Sequence, residues 1–189
     1  MNIMRAARFA LLAGTIAATG TPAHASTLMF VDVPGIPGDS TFDQAKNQIQ
    51  GLSYNFGVNP TKTTKYGAVG VCAPGQSKPS FSEFCVQKRS DVASPKLFVA
   101  AATAAQFPAV TISVYKLSVN PTPPIVSYVL SNAVVSSLVA DGDTAVGDVP
   151  MEKVCFKFNR AQVTTRQQKP TGGFTEETAG FDACSVSAF

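Results

Sequence analysis

A single, mainly β domain carrying one helix is the fold this 189-residue sequence predicts. Three observations point to it. Short apolar runs alternate with polar residues at a period of two, and Pro, Gly, Asn and Asp separate them at hairpin spacing. One segment alone has a helix-initiating Ser-Pro followed by an unbroken Ala- and Leu-containing stretch. The composition, 45% hydrophobic and only 14% charged, is that of a chain that folds, and its Val, Thr and Phe favour sheet over helix. Strands with hairpin connections and one helix imply an antiparallel barrel or sandwich.

The elements follow in order. Thr27 to Val33 is β-prone and is stopped by Pro34-Gly35-Ile36-Pro37-Gly38, which must turn. From Asn47 to Val58, Leu52, Tyr54, Phe56 and Val58 alternate with Ser53, Asn55 and Gly57, the pattern of a half-buried strand. Ile49 is out of phase, and Gly51 between the two phases marks a bulge. Asn59 to Ser80 reads as a long polar surface loop, and Phe84 to Lys88 as a strand. Ser94 caps a helix with Pro95 in its first turn, running from Lys96 to Gln106 with an apolar stripe of Leu97, Val99, Ala100 and Ala104, and Phe107-Pro108 ends it. Val110, Ile112 and Val114 alternate with Thr111, Ser113 and Tyr115 in a strand. Pro121, Pro123 and Pro124 turn the chain into a partner from Ile125 to Leu130, which Val134 to Val139 continues or bends. Asp141 to Asp148 is a loop. Val154, Phe156 and Phe158 then face one way and Cys155, Lys157 and Asn159 the other, and a last strand spans Ala179 to Val186.

Residues 1–25 read as a secretory signal peptide, leaving one domain over residues 26–189. Arg5 and Arg8 form the basic start, Phe9 to Ala18 the apolar stretch, and Ala23-His24-Ala25 the small-x-small site, with cleavage before Ser26. The apolar stretch is too short to span a bilayer and is followed by no second one, so no transmembrane anchor is expected after cleavage. The mature chain of 164 residues then has no histidine, because His24 is the only one in the sequence. That removes the usual base of Ser-His-Asp and Cys-His nucleophiles and the His-rich catalytic zinc sites. Loss of Arg5 and Arg8 lowers the formal charge of +3 by two, which leaves no field to draw the protein onto nucleic acid.

Four cysteines, Cys72, Cys85, Cys155 and Cys184, remain in the exported part. An even count in an oxidising compartment implies two disulfides among three possible connectivities. Closing the Pro/Gly/Ser-rich segment from Ala73 to Ser80 favours Cys72–Cys85, and tying a late strand to the last one favours Cys155–Cys184. A structural zinc is disfavoured, there being no CxxC pair and no histidine. Other candidates for chemistry have simpler readings. Asp141, Asp143 and Asp148 around Gly142 suggest a calcium loop, but strands flank them and a solvated turn suffices. Glu176, Glu177, Asp39 and Asp43 are carboxylates in polar surroundings. Gln87-Lys88-Arg89 reads as a solvated strand end, and Tyr54, Phe56, Phe156 and Phe158 as core. No catalytic residue, metal ligand or cofactor is expected.

Several strings in this order resemble the haemolysin-coregulated protein (Hcp) family, the tube proteins of type VI secretion. Met29 to Ser40 resembles the family's first strand and Gly-rich turn. Ile49 to Val58 resembles its second strand, with Tyr54 and Phe56 where tryptophans are common. Ser94-Pro95-Lys96-Leu97 resembles the opening of its helix, and Pro108 to Ile112 the strand after it. Tyr128-Val129-Leu130 with Val134 to Ser137, Glu152 to Phe158, and Gly180-Phe181-Asp182 resemble its later strands. The resemblance implies a small antiparallel β-barrel of two packed sheets with one α-helix on its side. It also implies self-association into a hexameric ring that stacks into tubes, contact with secretion-apparatus or effector proteins, and neither catalytic residues nor a cofactor. Export and the cysteine set are particular to this chain and place it in the periplasm or outside the cell. The reading from these features is a non-enzymatic, secreted Hcp-like protein. The alternative is a monomeric exported binding module that keeps the fold and binds through the Asn59–Ser80 loop.

Overall fold

A computed structural model describes residues 27–59, 80–117, 123–142, 149–185 and 187–189. The signal segment with Ala23, Ala25 and Ser26, residues 60–79 of the long loop with Cys72, and Asp143 and Asp148 lie outside the described residues. The strands are β1 (Thr27–Asp32), β2 (Ile49–Asn55), β3 (Val58–Asn59), β4 (Ser80–Phe81), β5 (Phe84–Arg89), β6 (Gln106–Lys116), β7 (Val126–Asp141), β8 (Met151–Lys157), β9 (Arg160–Gln168), β10 (Phe174–Asp182) and β11 (Ser187–Ala188). The helix, α1, is Ser94–Thr103.

Nine strands form one antiparallel sheet in the order β11-β10-β9-β7-β6-β1-β2-β5-β8, and β8 also pairs with β7. That second pairing closes β7, β6, β1, β2, β5 and β8 into a barrel and removes their free edges. The 16-residue β7 makes closure possible by changing partner along its length. It pairs with β9 as far as Ser131 and with β8 from Val134, and Asn132 between them has a left-handed φ of 51°. Asn tolerates that conformation better than most residues, which suits it to the corner.

Period-two alternation sorts side chains into the barrel. Met29 and Val31, Ile49, Phe84 and Val86, Val110 and Ile112, and Val154 and Phe156 fill a single buried cluster. Gly51 also points inward, and a Cβ there would collide with the Met29 side chain. The pairing of β2 with β5 slips between Gly51 and Ser53, as the bulge predicts. Past the bulge, Leu52 and Tyr54 are substantially exposed, so the half-buried face predicted for this strand is less covered than its pattern implies. Outside the barrel, Phe30 stacks with Phe42 at 5.2 Å and meets Tyr115 at 5.9 Å, so the outer face of β1 is covered by the segment between β1 and β2.

Two elements depart from expectation. The helix stops at Thr103, where Ala104 takes a left-handed φ of 50°, and Phe107 and Pro108 belong to β6 rather than to a helix end. Its buried face is Leu97 and Ala100, while Val99 and Ala104 are exposed. Ser94 lies inside the helix rather than capping it, and Ala93 is the cap residue, without a side-chain bond. The β9–β10 hairpin was not expected, and β10 begins at Phe174 instead of Ala179. Both strands are mostly polar, with only a few apolar residues such as Ala161, Val163 and Phe181, which hides them from apolar periodicity. Their turn is visible in Gly172-Gly173, each with φ above 70°.

Candidate assembly surface and supporting sites

The helix lies against the barrel wall with its N-terminus tied to β5 and β8 by buried charges. On β5, Lys88 falls in the same phase as Phe84 and Val86, so its side chain turns inward and is only 1% exposed. On β8, Glu152 shares the phase of Val154 and Phe156 and is 6% exposed. The Lys88 Nζ donates to Glu152 Oε2 at 2.7 Å, Ser94 Oγ at 3.0 Å and the Arg89 carbonyl at 2.8 Å, and lies 2.9 Å from Asp91 Oδ1. Ser90 and Ser94 hydroxyls donate to the two Glu152 oxygens at 2.8 Å each. Asp91 Oδ1 also accepts the Ala93 N–H at 2.9 Å, which caps the helix entry. Burial would raise the Glu152 pKa, but hydrogen bonds from Lys88, Ser94 and Ser90 and the Lys88 charge outweigh it and hold the carboxyl below its ordinary value. The predicted solvated Gln87-Lys88-Arg89 end is therefore corrected at Lys88, which is core.

With its inner face committed to Leu97 and Ala100, α1 presents Phe98 (65% exposed) and Val99 (56%) outward, beside Val92 in the preceding turn. A helix in a lone soluble domain ordinarily carries polar residues there. Leu52 on β2 and Val58 on β3 are also about half exposed.

Another stretch of the barrel is filled by rings. Tyr54 stacks on Phe84 at 5.4 Å, Phe56 on Phe84 at 5.3 Å, and Phe81 joins Phe56, Phe158 and Phe181. Phe156 and Phe158 are core as predicted, whereas Phe56 is half-buried and Tyr54 is 40% exposed. The Tyr54 and Tyr128 hydroxyls lie 3.2 Å apart, and burial, followed by that hydrogen bond, pushes Tyr128 up to about 12.

The cysteines overturn the predicted connectivity. Cys85 on β5 and Cys155 on β8 are direct cross-strand partners, with Cα atoms 4.0 Å apart, and are bonded to each other. Neither Cys72–Cys85 nor Cys155–Cys184 can therefore form. The physical reason is the β5–β8 pairing, which places residues 70 positions apart in sequence face to face, while nearness along the chain favours the short loop. Cys155 is buried although it shares its strand face with the exposed Lys153 and Lys157. Cys184 is disulfide-bonded too, and its partner lies outside the described residues. Among the described residues, Glu83, Cys85 and Cys155 bring their potential ligand atoms within 4.8 Å of one another, although the two sulfurs are joined. Of the other carboxylates, Glu176 pairs with Arg166 across the β9–β10 hairpin, and Asp39 and Asp43 border an open groove with Phe30 and Phe42. No described helix is long and apolar enough to cross a membrane.

Comparison with known proteins supplies the frame for these surfaces. A search of curated proteins finds no match. Among solved structures, Hcp1 from Salmonella typhimurium superposes with a TM-score of 0.70 at 24% identity, covering 88% of this chain and 100% of that one. A structure described as a type six secretion system protein reaches 0.74 at 22% identity, covering 87% and 100%. A type VI secretion system effector from Yersinia pestis reaches 0.62 at 23%, covering 82% and 98%. The closed barrel with its flanking helix is thus the fold of these proteins. The family model described as "Type VI secretion system effector, Hcp" matches residues 30–165, from the first strand of the barrel into the hairpin that extends it, and the chain belongs to that family.

Proposed function

We propose that this protein is an exported, non-enzymatic Hcp that acts by assembling with copies of itself into rings and by contacting secretion-apparatus or effector proteins through them. The observation that carries the reading is the family match over a barrel whose helix leaves Phe98, Val99 and Val92 uncovered. A ring needs heterologous contacts, in which one patch meets a different patch on the next copy. The apolar face of α1 supplies one such surface, and the exposed Leu52 or Val58 marks where the other is to be sought. Signal cleavage after Ala25 gives a mature chain starting at Ser26, in the periplasm or medium, where disulfides persist.

Size-exclusion chromatography with light scattering on the exported chain tests the assembly. The expected result is a closed oligomer several times the mass of one chain, visible as rings by negative-stain electron microscopy. A protein that stays monomeric at high concentration supports the monomeric binding module instead. N-terminal sequencing of the exported protein is expected to begin at Ser26, and an intact Met1 in the cytoplasmic fraction would remove export from the reading.

A further inference from the structure

We propose that opening the Cys85–Cys155 bond creates a binding site for a soft divalent cation, formed by the two cysteine sulfurs and the Glu83 carboxylate. All three groups sit on one patch of the barrel wall, with their ligand atoms within 4.8 Å of one another. The cysteines are register partners, held by the ladder that also pairs Phe84 with Phe156 and Gln87 with Lys153. The ladder continues through paired residues on both sides of the cysteines, so it keeps the reduced side chains face to face, the Cα atoms being 4.0 Å apart in the bonded state. Two thiolates on a tetrahedral zinc sit roughly 3.8 Å from each other, given a Zn–S distance of about 2.3 Å, which is a spacing adjacent strand positions can supply.

The third ligand is available. Among the described residues Glu83 is held by a partly exposed ion pair with Lys157 at 3.3 Å, a contact of little strength that a metal displaces. Lys153 and Lys157 flank Cys155 two residues away on either side, both exposed. Sulfur with one carboxylate selects zinc-like or cadmium-like ions over calcium or magnesium.

The chemistry balances with a dithiol as reductant. The dithiol passes two electrons and two protons to the Cys85–Cys155 bond and becomes a cyclic disulfide, leaving two thiols on the protein. The cation then forms two sulfur–metal bonds and releases two protons to solvent, with Glu83 as the third ligand and water as the fourth. The oxidised protein has no such site, so the redox state of the compartment decides whether it exists.

The exported chain, before and after reduction with a thiol-free phosphine, is titrated with Cd2+ while thiolate-to-metal absorption is followed. Absorption is expected only after reduction, and the C85S/C155S chain should bind one Cd2+ fewer per chain than the unaltered protein. A C72S/C184S chain should retain one Cd2+ with a two-thiolate signature, and E83Q should weaken that binding about tenfold or more. Equal uptake by C85S/C155S, or uptake indifferent to E83Q, overturns the proposal, because either result describes unstructured thiols. Loss of the β-sheet circular dichroism on reduction overturns it as well. If C72S/C184S does not fold, C85S/C155S and E83Q in the otherwise unaltered chain decide the matter.

Discussion

Lys88 and Glu152 occupy positions that alternation reserves for apolar side chains, and their burial together is tolerated because the ammonium and both Glu152 oxygens are hydrogen-bonded. Replacing Lys88 with methionine leaves Asp91 and Glu152 as buried carboxylates without a counter-charge. The expected cost is about 3–5 kcal/mol in urea denaturation, far more than a surface lysine is worth. Glu152 also sets an acid dependence. Its folded pKa lies below the ordinary 4.5, so its contribution is fully present above that value and is lost as pH falls through the depressed folded value. Thermal stability measured from pH 7 downward is therefore expected to hold to about pH 5 and then fall. In E152Q that part of the fall should disappear, together with some stability at neutral pH. The phase of Lys88 with Phe84 and Val86 was visible in the sequence, but its charge invited a solvated reading. Nothing local announced that Glu152, 64 residues away, would stand beside it.

At the scale of elements, α1 divides its residues between two tasks. Leu97 is fully buried against the barrel, so Leu97→Ala is expected to cost about 2–5 kcal/mol in chemical denaturation. Phe98 is 65% exposed in a single copy, so Phe98→Glu should change stability by no more than about 0.5 kcal/mol while the oligomer seen by light scattering dissociates. An oligomer unaffected by Phe98→Glu would place the ring contact on another surface. The helix was legible from Ser94-Pro95 and the alanines after it, but its buried stripe was not. The predicted stripe included Val99, which the actual rotation of the helix turns outward. The β9–β10 hairpin escaped for the reverse reason. Thr164 and Thr178, or Arg166 and Glu176, hold it by cross-strand polar pairs that leave no apolar period.

At the scale of the whole molecule, the Cys85–Cys155 bond braces the pairing of β5 with β8, which helps close the barrel. Linking residues 70 apart, it should contribute about 4 kcal/mol by restricting the unfolded chain. Reduction is accordingly expected to lower the thermal midpoint markedly, and C85S/C155S should reproduce most of that loss. Non-reducing peptide maps should contain a Cys85–Cys155 peptide and, with four cysteines in all, join Cys72 to Cys184. A map showing Cys72 with Cys85 would contradict the barrel's own register.

Local physics determined a good deal from the sequence alone. Period-two runs placed β2, β6 and β8, β-prone runs between turn residues placed β1, β5 and the start of β7, a glycine between two phases located the bulge in β2, and Ser-Pro marked the helix start. The joint order of these strings was enough to suggest the family. What only the tertiary structure decided were the relations between residues far apart along the chain. These are the switch of β7 from β9 to β8 at Asn132, the rotation of α1, the meeting of Lys88 with Glu152, and the pairing of Cys85 with Cys155. Each depends on barrel closure, because a strand's alternation says which residues share a face but not which other strand will lie against it.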